Sequence, residues 1–261
     1  MRIRTWLAMG AVTLVSLGVM TAAGARPQAG TAKPALARLT PIQSCFQSGS
    51  GATFYRPCVT TGGNVSIEAP SGVQHLPGYE GYGLCSNTGY VYDAKSTGSG
   101  FGAPTVSQPN GPNTFPLSIA RSGGGWRVTQ TFARDATQRE FNITFAVRNT
   151  TASTKTSVEF IRFFDGDIDG DPSDDVYDRS LDAAWGRDVH GVALQAVSLA
   201  TTHFAEIETY GSLSSGLAAG VCSTSPLAGP VTGDAAGVIR YTFSSVAAGA
   251  TKTVKFTYRI M

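Results

Sequence analysis

The sequence predicts an all-β fold, an antiparallel β-sandwich of two sheets with little or no helix, and three observations carry that expectation. Apolar and polar residues alternate with period two: Phe141, Ile143, Phe145 and Val147 oppose Asn142, Thr144 and Arg148, and Val254, Phe256, Tyr258 and Ile260 repeat the pattern near the end. Between such runs lie turn-forming clusters such as Pro109-Asn110-Gly111-Pro112-Asn113 and Gly123-Gly124-Gly125. With 31 Gly and 13 Pro, no window sustains a helix of three turns.

The same reading places strands at 65–68, 89–92, 115–120, 126–132, 140–148, 157–164, 192–199, 206–210, 238–243 and 254–260. Strands with one apolar face joined by short polar turns pack most simply as two antiparallel layers. An outer-membrane barrel is the rival architecture, but it needs strands of about 9–11 residues with a lipid-facing band, and these are shorter.

The amino terminus reads as an export signal over residues 1–25. Arg2 and Arg4 precede an uncharged apolar run over 6–23, which ends in Ala23-Gly24-Ala25, small residues of the kind a signal peptidase reads. A membrane anchor is the competing reading, and Gly10, Thr13, Ser16, Gly18 and Thr21 dilute the run against it. Residues 26–40, rich in Ala and Pro without apolar periodicity, are expected to be a disordered lead-in. Residues 41–261 are expected to form one β-sandwich domain with no membrane span after cleavage, in a secreted or periplasmic protein.

Charge excludes one class of partner. The 20 basic residues nearly balance the 18 acidic ones, so the concentrated basic surface that nucleic acid requires is missing. The four cysteines, Cys45, Cys58, Cys85 and Cys222, form an even set in an exported chain, and none has zinc-site C-x-x-C spacing. Four cysteines allow three pairings; a local Cys45–Cys58 clasp and a long Cys85–Cys222 tie are the pairing expected.

The acidic residues are distributed unevenly. Nine of the 18 fall within 165–188, most of them in Asp165-Gly-Asp167-Ile-Asp169-Gly-Asp171-Pro-Ser-Asp174-Asp175-Val-Tyr-Asp178. Two carboxylates 4 Å apart repel by about 1 kcal/mol in water and about 4 kcal/mol at an effective dielectric of 20, so such a loop is stabilised by a cation among them. Oxygen donors at alternate positions suit calcium, with Asp165, Asp167 and Asp169 as ligands and Asp171 or Asp175 assisting. An EF-hand is excluded. In one register the twelfth position is Val176, and in the next the sixth is Pro172, which cannot adopt positive φ. A solvated rim loop is the alternative.

No catalytic constellation stands out. His75, His190 and His203 show no H-E-x-x-H spacing, and no serine lies in G-x-S-x-G. Tyr79, Tyr82, Tyr90 and Tyr92 cluster near Cys85, and aromatic faces beside a calcium-ordered loop suit a sugar or a peptide. Segments 142–151 and 247–256 resemble a hairpin and a closing strand common in bacterial surface β-sandwiches. Gly111-Pro-Asn-Thr-Phe-Pro116, Arg162-Phe-Phe-Asp-Gly-Asp-Ile-Asp169 and Ala184-Trp-Gly186 resemble a loosely defined set of exported bacterial β-sandwich proteins with an Asp-rich D-x-D-x-D loop and no assigned activity. The resemblance implies a sandwich fold and secretion, and no mechanism. The expected function is a calcium-stabilised binding or structural module at or beyond the cell surface, with carbohydrate or another surface protein as partner. The alternative is an extracellular hydrolase acting on carbohydrate, with two carboxylates flanking a cleft lined by Tyr or Trp126.

Overall fold

The computed structural model describes residues 42–76, 80–94, 98–135, 139–165, 173–209 and 226–261. All belong to the unit Leu36–Met261; the other unit, Met1–Ala35, lies outside the described residues. In chain order the strands begin with β1 (Ile42–Cys45), β2 (Arg56–Thr60), β3 (Val65–Glu68), β4 (Gln74–His75), β5 (Glu80–Ser86) and β6 (Gly89–Ala94). They continue with β7 (Gly98–Ser99), β8 (Thr105–Ser107), β9 (Leu117–Gly123), β10 (Trp126–Asp135), β11 (Glu140–Asn149) and β12 (Lys155–Asp165). The last are β13 (Val176–Arg179), β14 (Ala183–Arg187), β15 (Gly191–Ala196), β16 (His203–Thr209), β17 (Val231–Thr232), β18 (Ala235–Val246) and β19 (Thr251–Ile260). The only helical turn among the described residues is a 3-10 turn at Gly51–Thr53, and no helix there is long and apolar enough to cross a membrane.

Two large antiparallel sheets form the sandwich. One has nine strands in the order β17-β13-β14-β15-β19-β11-β10-β9-β8, the other six in the order β16-β18-β12-β5-β6-β7. A third, four-stranded sheet, β1-β2-β3-β4, adds to the two expected. Its Val59, Val65 and Ile67 join the same core as the large sheets. Its β3 is the strand expected at 65–68; β1, β2 and β4 escape sequence reading, because β1 and β4 are short and β2 carries Pro57.

Period-two alternation explains the layers. Along β12, Val158, Phe160 and Phe164 enter the core between the large sheets, while Ile161 and Phe163 point to the opposite face. Phe160 meets Phe145 of β11 with ring centroids 4.6 Å apart and Phe256 of β19 at 5.8 Å. Phe164 meets Tyr258 edge-on at 6.2 Å. Burying such a side chain contributes about 2–3 kcal/mol each, so this aromatic seam binds the two sheets face to face.

A polar node interrupts the seam. Arg162 of β12 is wholly buried and ion-pairs with Glu80 of β5, also wholly buried. The Tyr258 hydroxyl donates to Glu80 Oε1 at 2.8 Å, and Arg162 Nη1 donates to Gln130 Oε1 at 3.2 Å. The turn between β2 and β3 enters the same node. Val65 N donates to Glu80 Oε2 at 2.6 Å, Gln130 Nε2 donates to Gly62 O at 3.4 Å, and Tyr82 Oη donates to Gly62 O at 3.3 Å. Burial opposes the Arg162 charge, yet Glu80, with Tyr258 and Tyr82, holds it above the ordinary arginine value. Burial, reinforced by Glu80, pushes the Tyr258 phenol well above its ordinary value. Beside the node, burial raises the Asp93 carboxyl against the pull of its partner Arg121.

The Cys45–Cys58 disulfide joins β1 to β2. Cys85 is also disulfide-bonded, and its expected partner Cys222 lies outside the described residues. Asn149 fixes the hairpin noted in the sequence. It is buried, and its Nδ2 donates to Ser153 O, Val246 O and Ala247 O at 2.8, 3.0 and 3.2 Å.

Candidate functional site

The face of the six-stranded sheet turned away from the core carries four carboxylates and two tyrosines. Its register is read directly from the strand pairs. Asp165 pairs with Ala236 and Ala236 with Glu208; Phe163 pairs with Val238 and Val238 with Glu206. Ala94, Ile161, Phe163, Ala236 and Val238 form a second apolar cluster here, with Cys85 and Tyr92 packed against it.

One end of this face is acidic and buried. Asp165 is 1% exposed, Glu208 2% and Glu206 4%. Arg240 lies on the same face between two carboxylates: Nη1 donates to Glu159 Oε2 at 2.6 Å, and Nε and Nη2 donate to Glu206 Oε2 at 3.4 Å. Four carboxylates, Glu159, Asp165, Glu206 and Glu208, thus share the face with this guanidinium. Strands lie about 4.8 Å apart, so Asp165 and Glu208 stand about 10 Å apart at Cα, on either side of Ala236.

The other end is aromatic and open. Tyr90 and Tyr92 of β6 stack with centroids 6.4 Å apart and planes 29° apart, and Tyr90 is 44% exposed. Tyr90 pairs with Cys85, and Cys85 with Glu159, so the exposed ring and the Arg240-paired carboxylate share one row. Tyr82, of the same sequence cluster, instead points into the core and is fully buried; Tyr79 lies outside the described residues.

Of the five proposed calcium ligands, Asp167, Asp169 and Asp171 lie outside the described residues. Asp165 ends β12 and Asp175 immediately precedes β13; both are buried, and the Asp175 carbonyl accepts from Gly233 N at 2.9 Å. Among the described residues no three His, Cys, Asp or Glu side chains group closely enough to hold a metal ion. Asp182, from the same acidic segment, is taken by His203, whose Nε2 lies 2.8 Å from its Oδ1. Asp188 and His190 lie between strands. They flank the bend joining β14 to β15, where Asp188 N donates to His190 O at 2.8 Å. Trp126, expected as a cleft wall, belongs to the core cluster. It is 2% exposed in the core, and the Lys155 ammonium lies 5.1 Å from its ring centroid.

Sequence reading missed Glu206, Glu208 and Arg240. Glu206 and Glu208 alternate along β16 and Arg240 sits singly in β18, and only the pairing of β16 with β18 brings the acids to the guanidinium. The interrupting charge in Val238-Ile239-Arg240-Tyr241 was the available signal.

No family model matches this sequence, and no curated protein matches it. Solved structures do. A bacterial glucoamylase complexed with acarbose superposes with a TM-score of 0.58 at 9% identity, over 86% of this chain and 33% of that one. A putative aldose 1-epimerase from Escherichia coli K12 gives a TM-score of 0.45 at 10% identity, over 84% of this chain and 99% of that one. The chain therefore spans about a third of the glucoamylase's length, and what it shares with that enzyme is the fold of its β-sandwich.

Proposed function

We propose that this chain is an exported, calcium-stabilised β-sandwich module that binds carbohydrate on the outer face of its six-stranded sheet. The observation that carries the reading is the composition of that face. Exposed Tyr90, stacked on half-buried Tyr92, shares a row with Glu159 of the charged Glu159–Arg240 pair, and this combination suits the apolar face and hydroxyl edge of a sugar ring. The fold it shares with a sugar-processing enzyme fits the same ligand class. The Cys45–Cys58 disulfide fits an oxidising compartment, in line with secretion or the periplasm.

Calcium belongs at the acidic end. Asp165 and Asp175 bracket the Asp-rich segment, where Asp167, Asp169 and Asp171 supply further oxygen donors. A cation bound only by the native state adds about 2.7 kcal/mol at 100 times its dissociation constant, so calcium is expected to raise the melting temperature and chelator to lower it. Extracellular modules bind calcium as weakly as about 0.1–1 mM, so the titration extends to millimolar concentrations. A melting temperature that stays fixed across that range, without binding heat, removes calcium from the account.

The spacing of Asp165 and Glu208 favours a second reading, hydrolysis of a glycoside. A separation of about 10 Å at Cα is compatible with the carboxyl distances of an inverting enzyme. Release of reducing ends from a polysaccharide, lost in both Asp165→Asn and Glu208→Gln, would establish that reading over simple binding.

A further inference from the structure

A separate cavity of about 670 Å³ opens at the end of the nine-stranded sheet, lined by Phe115, Pro116, Ala133, Arg134 and Asp135. We infer that it binds a sugar bearing a carboxylate, a uronate, with the carboxylate on Arg134 and the ring against Phe115 and Pro116.

The first argument is the state of Arg134. It occupies the last core-facing position of β10, with its guanidinium over the Phe46 ring. Among the described residues no carboxylate lies within ion-pair distance of it, whereas Arg56, Arg121, Arg162, Arg240 and Arg259 each have one. Asp135, next in sequence, holds a partner of its own. A partly desolvated guanidinium that lines a cavity and has no ion-pair partner among the described residues is a ready anion site, and its planar fork matches a carboxylate. Burial lowers its pKa, as expected where no anion compensates the lost water.

The second argument is the wall. The segment Gly111-Pro-Asn-Thr-Phe-Pro116 is singled out by sequence and untouched by the outer-face site. Its own hydrogen bonds hold it in place: Asn110 Nδ2 donates to Phe115 O at 3.1 Å, and Gln108 Nε2 donates to Thr114 O at 3.3 Å. Phe115 also packs edge-on against Phe141, with centroids 5.4 Å apart. A preorganised aromatic surface in the same lining as a cation is suited to a ring that carries the charge. Asp135 narrows the choice of anion. Its carboxylate in the lining repels a phosphate dianion more than a singly charged carboxylate, while it can accept from a sugar hydroxyl.

Calorimetric titration of the intact chain tests this with a galacturonic acid trisaccharide, a neutral galactose trisaccharide and inorganic phosphate. The uronate is expected to bind at least about tenfold more tightly than the other two. Arg134→Ala should weaken it about ten- to a hundredfold, and Arg134→Lys less. Arg127→Ala removes the same charge from the exposed side of β10 and should change nothing. The inference is overturned by absence of uronate heat at about 10 mM, by equal affinity for the neutral sugar or for phosphate, or by unchanged affinity in a folded Arg134→Ala protein. Should that variant fail to fold, the wild-type comparison of acidic with neutral sugar decides.

Discussion

Replacing Glu80 with Gln keeps the shape of the side chain and removes its charge, which leaves Arg162 as a guanidinium with no exposed surface and no anionic partner in the node. Breaking a buried pair from one side costs about 3–5 kcal/mol, because the remaining charge stays desolvated. In a domain of this size each kcal/mol moves the melting temperature by about 2–4 °C, so Glu80→Gln is expected to lower it by about 6–20 °C. The double variant Glu80→Met, Arg162→Met should cost much less than Glu80→Gln, since no orphaned charge remains. Urea and thermal unfolding of the three proteins measure both effects. A loss below about 1 kcal/mol for Glu80→Gln would refute the claim that this pair, as well as the surrounding aromatic packing, ties the six-stranded sheet and the β2–β3 turn to the nine-stranded sheet.

Three further outcomes are expected. Gly63→Ala should destabilise strongly, because Gly63 has φ +88° and a Cβ there would fall 2.0 Å from Gln130 Nε2; chemical denaturation measures the loss. A Cys45→Ser, Cys58→Ser variant should lose about 3 kcal/mol, as expected for a bridge spanning 13 residues, and urea unfolding under non-reducing conditions checks it. Alkali should unfold the protein through its buried phenols. Burial raises the pKa of Tyr55, Tyr82, Tyr241 and Tyr258. A raised folded value gives stability that is intact below the unfolded value of about 10 and is lost as pH rises beyond it. Tyrosinate absorbance should therefore rise together with unfolding; ionisation of these phenols in a still-folded protein would contradict their placement.

The strands at 65–68, 126–132, 140–148 and 254–260 were legible because one face meets the core and the other meets water or a polar neighbour, so the alternation survives in the letters. Strand β5 was not. In Glu80-Gly-Tyr-Gly-Leu-Cys-Ser86 the first two outward positions are glycines and the first inward one is a carboxylate, which hides both halves of the pattern. Strands β13 and β14 were masked by the aspartates around them, whose solubility reads as loop. The predicted strand over 192–199 ends at Ala196. Beyond it the chain turns through exposed Val197 and Leu199, whose apolar character extended the pattern past its physical end.

The site divides in the same way. The Asp-rich segment and Tyr90 with Tyr92 announce themselves by local density. Glu80 and Arg162, or Glu206 and Arg240, are far apart in sequence, and nothing local in either partner names the other. What the letters do show is a lone charge inside an apolar run, as in Ile161-Arg162-Phe163-Phe164, and such a charge implies a buried partner elsewhere. Arg134 departs from that pattern: it ends a core-facing row and has no carboxylate within ion-pair distance among the described residues.

The proposal of a sugar-binding face is tested most directly by calorimetric titration of neutral oligosaccharides into the chain at millimolar calcium, for wild type and for Tyr90→Ala. Stacking on an exposed aromatic face contributes about 1–1.5 kcal/mol, so at least one oligosaccharide should bind the wild type, and Tyr90→Ala should weaken it about tenfold with the melting temperature unchanged. No heat from any neutral oligosaccharide, or a bound sugar indifferent to Tyr90→Ala, would contradict the account.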